Sequence, residues 1–173
     1  MSAVLIEESL IRKILQIVCG GLAVSRDGNN LEVSGLLLGR ESQDKLLITS
    51  AVTGEQSSSE IRSDLSEDFM ATVANNLIGS ERKERIVGMF HSHPGIGIFI
   101  SQRDARTMMN FQRLYHQFVM MVVDPLVPLS QTRYKFFRCE TSTGRVIQVQ
   151  WLVARFKGLG TEKTSSLKGS SWN

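Results

Sequence analysis

Two of the three histidines in this chain of 173 residues are separated by one residue, and together they could bind a metal ion. His91 and His93 belong to the stretch HSHP, which follows the apolar run RIVGMF, a pattern typical of a β-strand. Side chains two positions apart on a strand point to the same face, so both imidazoles can reach one ion. The spacing therefore predicts a shared metal site at the end of a strand.

Asp104, eleven residues after His93, can complete this set of ligands. It follows a glycine-containing loop and falls in the first turn of a helix predicted from Ser101. Two imidazoles and one carboxylate leave a fourth tetrahedral position for water, as in catalytic zinc sites. Ser101 and Asp104 also fit a helix capping box, which would hold the carboxylate in place. The alternative is that His91 and His93 are exposed strand residues with no ligand.

The elements that must position these side chains follow from hydrophobic periodicity, which predicts an α/β fold. The expected strands cover residues 3–6, 31–39, 45–53, 85–93, 117–125 and a final hairpin of 132–140 with 145–154; the expected helices cover 9–24, 65–78 and 101–116. The continuous apolar character of 31–39 and 45–53 predicts burial on both faces. Ser63 or Asp64 is expected to cap the second helix.

The composition restricts the possible classes of function. The net charge is +3, but the basic residues are scattered and aromatic residues make up only 7% of the chain, so no nucleic-acid partner is expected. The chain contains no apolar run long enough for a membrane span and no basic region of a secretory signal. Cys19 and Cys139 form no CxxC pair, which favours buried, reduced thiols in a cytoplasmic protein over the alternative of a single disulfide. Neither cysteine is near the histidines in sequence, which favours a zinc site with an open fourth position.

At these residues the chain resembles the JAMM (MPN+) metalloproteases. Within that family the likeness is greatest to the deubiquitinating subunit of the proteasome lid. The signature positions are Glu32, His91, His93, Pro94, Ser101 and Asp104, with Gly35 and Gly39 in the pattern E-x-x-G-x-x-x-G. The stretch VVDP at 122–125 adds to the likeness. The resemblance implies a single MPN (JAMM) domain over 1–153, with a mixed β-sheet flanked by helices (cytidine-deaminase-like), and a flexible basic tail over 154–173.

The resemblance also implies an activity. His91, His93 and Asp104 would hold Zn²⁺, Glu32 would act as the general base, and Ser101 would stabilise charge on the carbonyl oxygen. The expected reaction is isopeptidase cleavage of ubiquitin or a ubiquitin-like modifier from lysine side chains, linked to the proteasome or to another MPN-domain partner. Two alternatives stay open: a non-catalytic MPN scaffold, and a protease that processes a small sulfur-carrier modifier.

Two loops near the site carry further expectations. The polar segment 54–64 is expected to form a mobile flap beside the site. Gly95 and Gly97 either let the loop pass close to an extended peptide or serve turn geometry alone.

Overall fold

A curled mixed β-sheet organises the described part of the chain, which in this computed structural model comprises residues 3–24, 32–54, 65–78, 83–155 and 166–167. The strands within these ranges are β1 (Ala3–Glu7), β2 (Ser34–Ser42), β3 (Lys45–Val52), β4 (Arg85–Ser92), β5 (Val119–Val123), β6 (Tyr134–Cys139), β7 (Val146–Val149), β8 (Trp151–Ala154) and β9 (Ser166–Leu167). The helices are α1 (Glu8–Val24), α2 (Glu67–Ile78) and α3 (Gln102–Leu114). The α/β class predicted from the sequence is confirmed.

The strands lie in the order β7-β6-β5-β4-β2-β3-β1-β8-β9. β4 and β5 run parallel, as do β1 with β3 and β1 with β8, and the other pairs are antiparallel. β7 and β8 are joined by Gln150 alone but occupy distant places in this order. The sheet must therefore curl, and it brings Trp151 of β8 within 6.0 Å of Phe136 of β6, measured between ring centroids.

One face of the sheet packs against α1. Apolar residues at helical spacing on α1 give it a buried stripe: Leu10, Ile11, Ile14 and Val18. This stripe shares a core with Ile6, Ile48, Phe90 and Phe136 from the strands. Cys19 follows the last core residue of the stripe by one position, about 100° around the helix. It is exposed, so its predicted burial is wrong, whereas Cys139 is buried as predicted.

The opposite face of β4 and β5 packs against α3. Met108 of α3 is fully buried there with Met89, Met120 and Val122. His91 pairs in register with Val122, so its side chain belongs to the face that α3 covers. The fold thus places the histidine strand and the helix of Asp104 against each other.

Several predicted boundaries and patterns need correction. The stretch 145–154 is two strands, because β7 pairs with β6 whereas β8 turns away to pair with β1. In β3 only Leu46, Ile48 and Ala51 are buried, and the other five residues are partly exposed, so the predicted burial on both faces is wrong for this strand. The third helix ends at Leu114, two residues earlier than predicted.

The start of α2 also differs from the prediction. The helix begins at Glu67, and the Ser66 hydroxyl accepts a hydrogen bond from the main-chain N–H of Phe69 at 3.1 Å. Ser66 is therefore the capping residue, because it is the small hydroxyl side chain directly before the first helical residue. The predicted caps, Ser63 and Asp64, and most of the predicted flap at 54–64 lie outside the described residues.

Among the described residues, none of the helices is both long and apolar enough to cross a membrane.

Candidate metal centre

The two histidines meet at the end of β4, at the edge of the sheet. The imidazole rings of His91 and His93 are 4.6 Å apart between centroids, and their Nε2 atoms are 3.0 Å apart. Both residues are buried, and the main-chain N–H of His93 donates to the carbonyl oxygen of Val123 at 2.8 Å. The predicted placement of both side chains on one face is confirmed, because the pairing with β5 continues one residue past β4.

Asp104 faces the histidines because of the way α3 packs. Asp104, Met108 and Gln112 are each four residues apart, so they lie along one side of the helix. Met108 is buried against the sheet, and Gln112 is buried where its amide exchanges hydrogen bonds with the main chain of Cys139. These two contacts fix the rotation of α3. Asp104, one turn nearer the amino terminus, is consequently directed toward His91.

A capping box holds the carboxylate at that position. Ser101 is the N-cap of α3, and its hydroxyl accepts a hydrogen bond from the Asp104 main-chain N–H at 3.2 Å. In return, the Ser101 main-chain N–H donates to Oδ2 of Asp104 at 2.8 Å. The predicted capping box is therefore confirmed, and it uses the same carboxylate that approaches the histidines.

The separations of the three potential ligand atoms are compatible with a tetrahedral metal ion. Oδ2 of Asp104 is 3.6 Å from Nε2 of His91 and 3.9 Å from Nε2 of His93, and the two nitrogens are 3.0 Å apart. In a tetrahedral site with bonds of about 2.1 Å, neighbouring ligand atoms lie about 3.4 Å apart. The observed separations bracket this value, so His91, His93 and Asp104 can hold a metal ion.

The electrostatic surroundings of His93 and Asp104 also suit a metal ligand set. Burial, and after it the neighbouring His91, lowers the pKa of His93, against the opposing fields of Glu32 and Asp104. Its Nδ1 lies 3.3 Å from the carbonyl oxygen of Gly97, to which an Nδ1–H can donate. This tautomer leaves the lone pair of Nε2 free for a cation.

The acidic ligand is ionised at neutral pH. Burial alone would raise the pKa of Asp104, but the adjacent His91 imidazole and the hydrogen bonding with Ser101 outweigh burial and hold the pKa well below its usual range. The site therefore offers an anionic carboxylate oxygen beside two imidazole rings, a nitrogen and oxygen donor set that can hold a divalent metal ion.

Glu32 lies beside this group, two residues before β2 begins. Ser34 pairs with His91 across the antiparallel strands, and the next pair toward the ends of the two strands is Val33 with Ser92. The Val33 main-chain N–H donates to the Ser92 hydroxyl at 2.8 Å, and the Ser92 N–H donates to the Val33 carbonyl at 2.9 Å. Continuing this register sets the exposed Glu32 opposite His93, and its negative charge acts on that imidazole.

Two residues that support the site carry no predicted role from the sequence. Ser92, the residue between the histidines, anchors the strand that leads from Glu32. Asp124 is buried directly after β5 and accepts hydrogen bonds from the loop that follows Pro94. The position of Asp124 at the end of a buried strand is visible in VVDP, but its partners lie almost thirty residues away in sequence.

The fold and the site together define the class of protein. Residues 1–117 match the family described as JAB1/Mov34/MPN/PAD-1 ubiquitin protease, and the chain belongs to that family. It forms a single MPN domain with a mixed sheet and three helices among the described residues.

Two curated relatives illustrate the range of the family. The chain is 33% identical to COP9 signalosome complex subunit 5 of Caenorhabditis elegans over 109 residues, covering 61% of this chain and 30% of that protein. It is 33% identical to ubiquitin carboxyl-terminal hydrolase RPN11 of Saccharomyces cerevisiae over 103 residues, covering 58% of this chain and 34% of the yeast protein. These matches span about a third of each relative.

A solution structure of a protein from Desulfitobacterium hafniense shares the fold, with a TM-score of 0.61 at 17% sequence identity. The match covers 90% of this chain and 95% of the other.

Proposed function

We propose that this protein is a zinc-dependent isopeptidase that removes ubiquitin or a ubiquitin-like modifier from lysine side chains, in connection with proteasomal degradation. The observation that carries the proposal is the cluster of Nε2 of His91, Nε2 of His93 and Oδ2 of Asp104 within 3.9 Å of one another, with Glu32 across the strand pair. Membership of a family described as ubiquitin protease supports the substrate class.

Zinc bound by these three residues would polarise the substrate carbonyl and acidify a coordinated water. The Glu32 carboxylate would accept a proton from the attacking water and later pass it to the departing lysine amine. The exposure of Glu32 suits this role, because the carboxylate must meet a substrate that arrives from solvent.

The hydroxyl of Ser101 would donate a hydrogen bond to the carbonyl oxygen as negative charge develops there. As it already accepts from the Asp104 N–H, its own proton is available for this contact. A cysteine nucleophile is disfavoured among the described residues. Burial raises the pKa of the Cys139 thiol, and Cys19 lies on α1, which packs against the face of the sheet opposite to the one that α3 covers.

The test compares wild-type protein with Glu32→Gln on lysine-linked ubiquitin chains and on linear ubiquitin fusions, with zinc content measured for each sample. The variant is expected to keep its zinc and to lose about 10²- to 10⁴-fold in cleavage rate. Glu7→Gln, at the exposed end of β1, is the matched control and is expected to cleave at the wild-type rate. Chelation is expected to stop cleavage, and added zinc to restore it.

Two results would contradict the proposal. Zinc-loaded wild-type protein that cleaves neither substrate would favour the scaffold alternative. Cleavage by Glu32→Gln at the wild-type rate would remove the general base from the mechanism.

A further inference from the structure

A buried carboxylate connects the loops that follow β4 and β5. Asp124 is only 2% exposed and directly follows β5, where its own N–H donates to the carbonyl oxygen of Arg133 at 2.9 Å. Polar side-chain oxygens at such a depth must be matched by hydrogen-bond donors. In this protein the donors are main-chain N–H groups.

Three N–H groups converge on this carboxylate. Oδ1 accepts from Gly95 at 2.9 Å and from Leu126 at 3.0 Å, and Oδ2 accepts from Gly97 at 3.0 Å. Gly95 and Gly97 have φ angles of 78° and 96°, which residues other than glycine rarely adopt. These conformations turn both N–H groups toward one anion, as in an anion-binding nest. Turn geometry around Asp124 therefore accounts for both glycines.

Gly97 links this carboxylate to a metal-ligand candidate. Its N–H is held by Oδ2 of Asp124, and its carbonyl oxygen lies 3.3 Å from Nδ1 of His93. The carboxylate thus fixes the peptide whose oxygen orients the imidazole. A loop free to turn at Gly97 would release that oxygen, and the proton on the ring could move to Nε2, the atom needed by the metal.

We infer that Asp124 is a positioning residue for the metal centre, which acts through the Gly97 peptide to hold His93 in the Nδ1–H tautomer. The inference rests on the zinc site of the proposed function. It assigns to the buried acid of VVDP a role distinct from ligation, since its carboxylate is engaged by the loop.

Asp124→Asn tests this chain of contacts at one atom. The amide oxygen can replace Oδ1 and keep the bonds from Gly95 and Leu126, but the amide nitrogen then opposes the Gly97 N–H, donor against donor. Zinc affinity, measured by competition with a chromophoric chelator, is expected to fall about 10- to 100-fold. Asp44→Asn, in the exposed turn between β2 and β3, is the matched control and is expected to bind zinc as wild type does.

A second measurement needs neither zinc nor substrate. In metal-free protein at about pH 8, where a free imidazole is neutral, long-range ¹H–¹⁵N NMR identifies the ring nitrogen that carries the proton. The wild-type His93 is expected to carry it on Nδ1, and Asp124→Asn is expected to populate the Nε2–H form. An unchanged tautomer together with unchanged zinc affinity in Asp124→Asn would overturn the inference.

Gly97→Ala perturbs the same contact from the loop side and guards against a poorly folded Asp124 variant. An alanine Cβ would meet no atom within 4 Å, so the effect comes from the positive φ alone. Zinc affinity is expected to fall, and the double variant to lose little more than the stronger single variant. If the fold-losses in zinc affinity of the two single variants multiply in the double variant, the two substitutions act independently and the inference is contradicted.

Failure of the inference and failure of the proposed function give different results. If wild-type protein takes up zinc but cleaves no conjugate, the proposed isopeptidase activity is refuted, whereas the tautomer and affinity measurements still test the role of Asp124. If wild-type protein cleaves conjugates and Asp124→Asn has the wild-type tautomer and zinc affinity, the inference alone is refuted.

Discussion

Substitution of Ser101 can separate the structural and chemical roles of one hydroxyl. Its oxygen caps α3 by accepting from the Asp104 N–H, and in the proposed mechanism its proton stabilises the carbonyl oxygen. The bond from the Ser101 main-chain N–H to Oδ2 of Asp104, at 2.8 Å, survives any side-chain change except proline. Variants at this position therefore alter the hydroxyl while a main-chain bond still holds the ligand.

Alanine and glycine at position 101 are expected to differ in stability but not in activity. Loss of a serine cap to alanine costs about 1 kcal/mol, whereas glycine costs only a few tenths of that. For a chain of 173 residues, about 1 kcal/mol corresponds to a fall in Tm of roughly 2–4 °C. Loss of a donor to the developing oxyanion costs about 10²- to 10³-fold in kcat, or about 3–4 kcal/mol, in either variant.

The assay combines thermal unfolding, zinc titration and cleavage of a lysine-linked ubiquitin chain. Ser101→Gly is expected to melt near the wild-type Tm, to bind zinc within a few-fold of wild type, and to cleave at least about 100-fold more slowly. Ser101→Thr, which keeps a hydroxyl and can still cap, is expected to retain most of the activity. If Ser101→Gly cleaves at nearly the wild-type rate, the hydroxyl does not stabilise the transition state.

Three further variants test the framework around the site. Ser92→Ala leaves the buried N–H of Val33 without its acceptor, so the free energy of unfolding is expected to fall by about 1–3 kcal/mol, with slower cleavage and unchanged zinc affinity. Gly35→Ala would bring a Cβ within 2.6 Å of a main-chain carbonyl oxygen of β3, and denaturant unfolding is expected to show a loss of about 1–3 kcal/mol. Tyr115→Phe removes the hydroxyl that donates to Glu41 at 2.9 Å, at a cost of about 1 kcal/mol near neutral pH. Burial, and then the contact with Glu41, raises the pKa of Tyr115 in the folded state. The stability that the phenol contributes is therefore present below about pH 10 and declines above it. Tyr115→Phe is expected to lose less stability than wild type as the pH rises above about 10.

Each of these variants has a result that would contradict its reasoning. Slower cleavage by Ser92→Ala accompanied by weaker zinc binding would mean that the histidines, rather than the Glu32 strand, had moved. Wild-type stability of Gly35→Ala would mean that β2 and β3 can separate without cost. An alkaline unfolding curve of Tyr115→Phe parallel to that of wild type would show that the phenol does not titrate differently on folding.

The sequence alone determined the parts of the site that depend on short spacings. Period-two alternation set His91 and His93 on one face, and the serine-to-aspartate spacing predicted the capping box that fixes Asp104. The helices and most strands were likewise predictable, because periodicity and turn residues act within a few positions. The Glu32 role came only from family resemblance, since nothing local distinguishes an acid before a strand from an ordinary surface acid.

Only the tertiary structure decided the contacts between residues distant in sequence. The buried stripe of α3 directs Asp104 at the histidines. The strand register sets Glu32 opposite His93, next to the hydrogen bond between Val33 and Ser92, which are 59 positions apart in sequence. The split of β7 from β8 and the role of Asp124 depend in the same way on how the sheet curls and where its strands end. Local rules specify which way a side chain points along its own element, whereas the packing of one element on another specifies what that side chain meets.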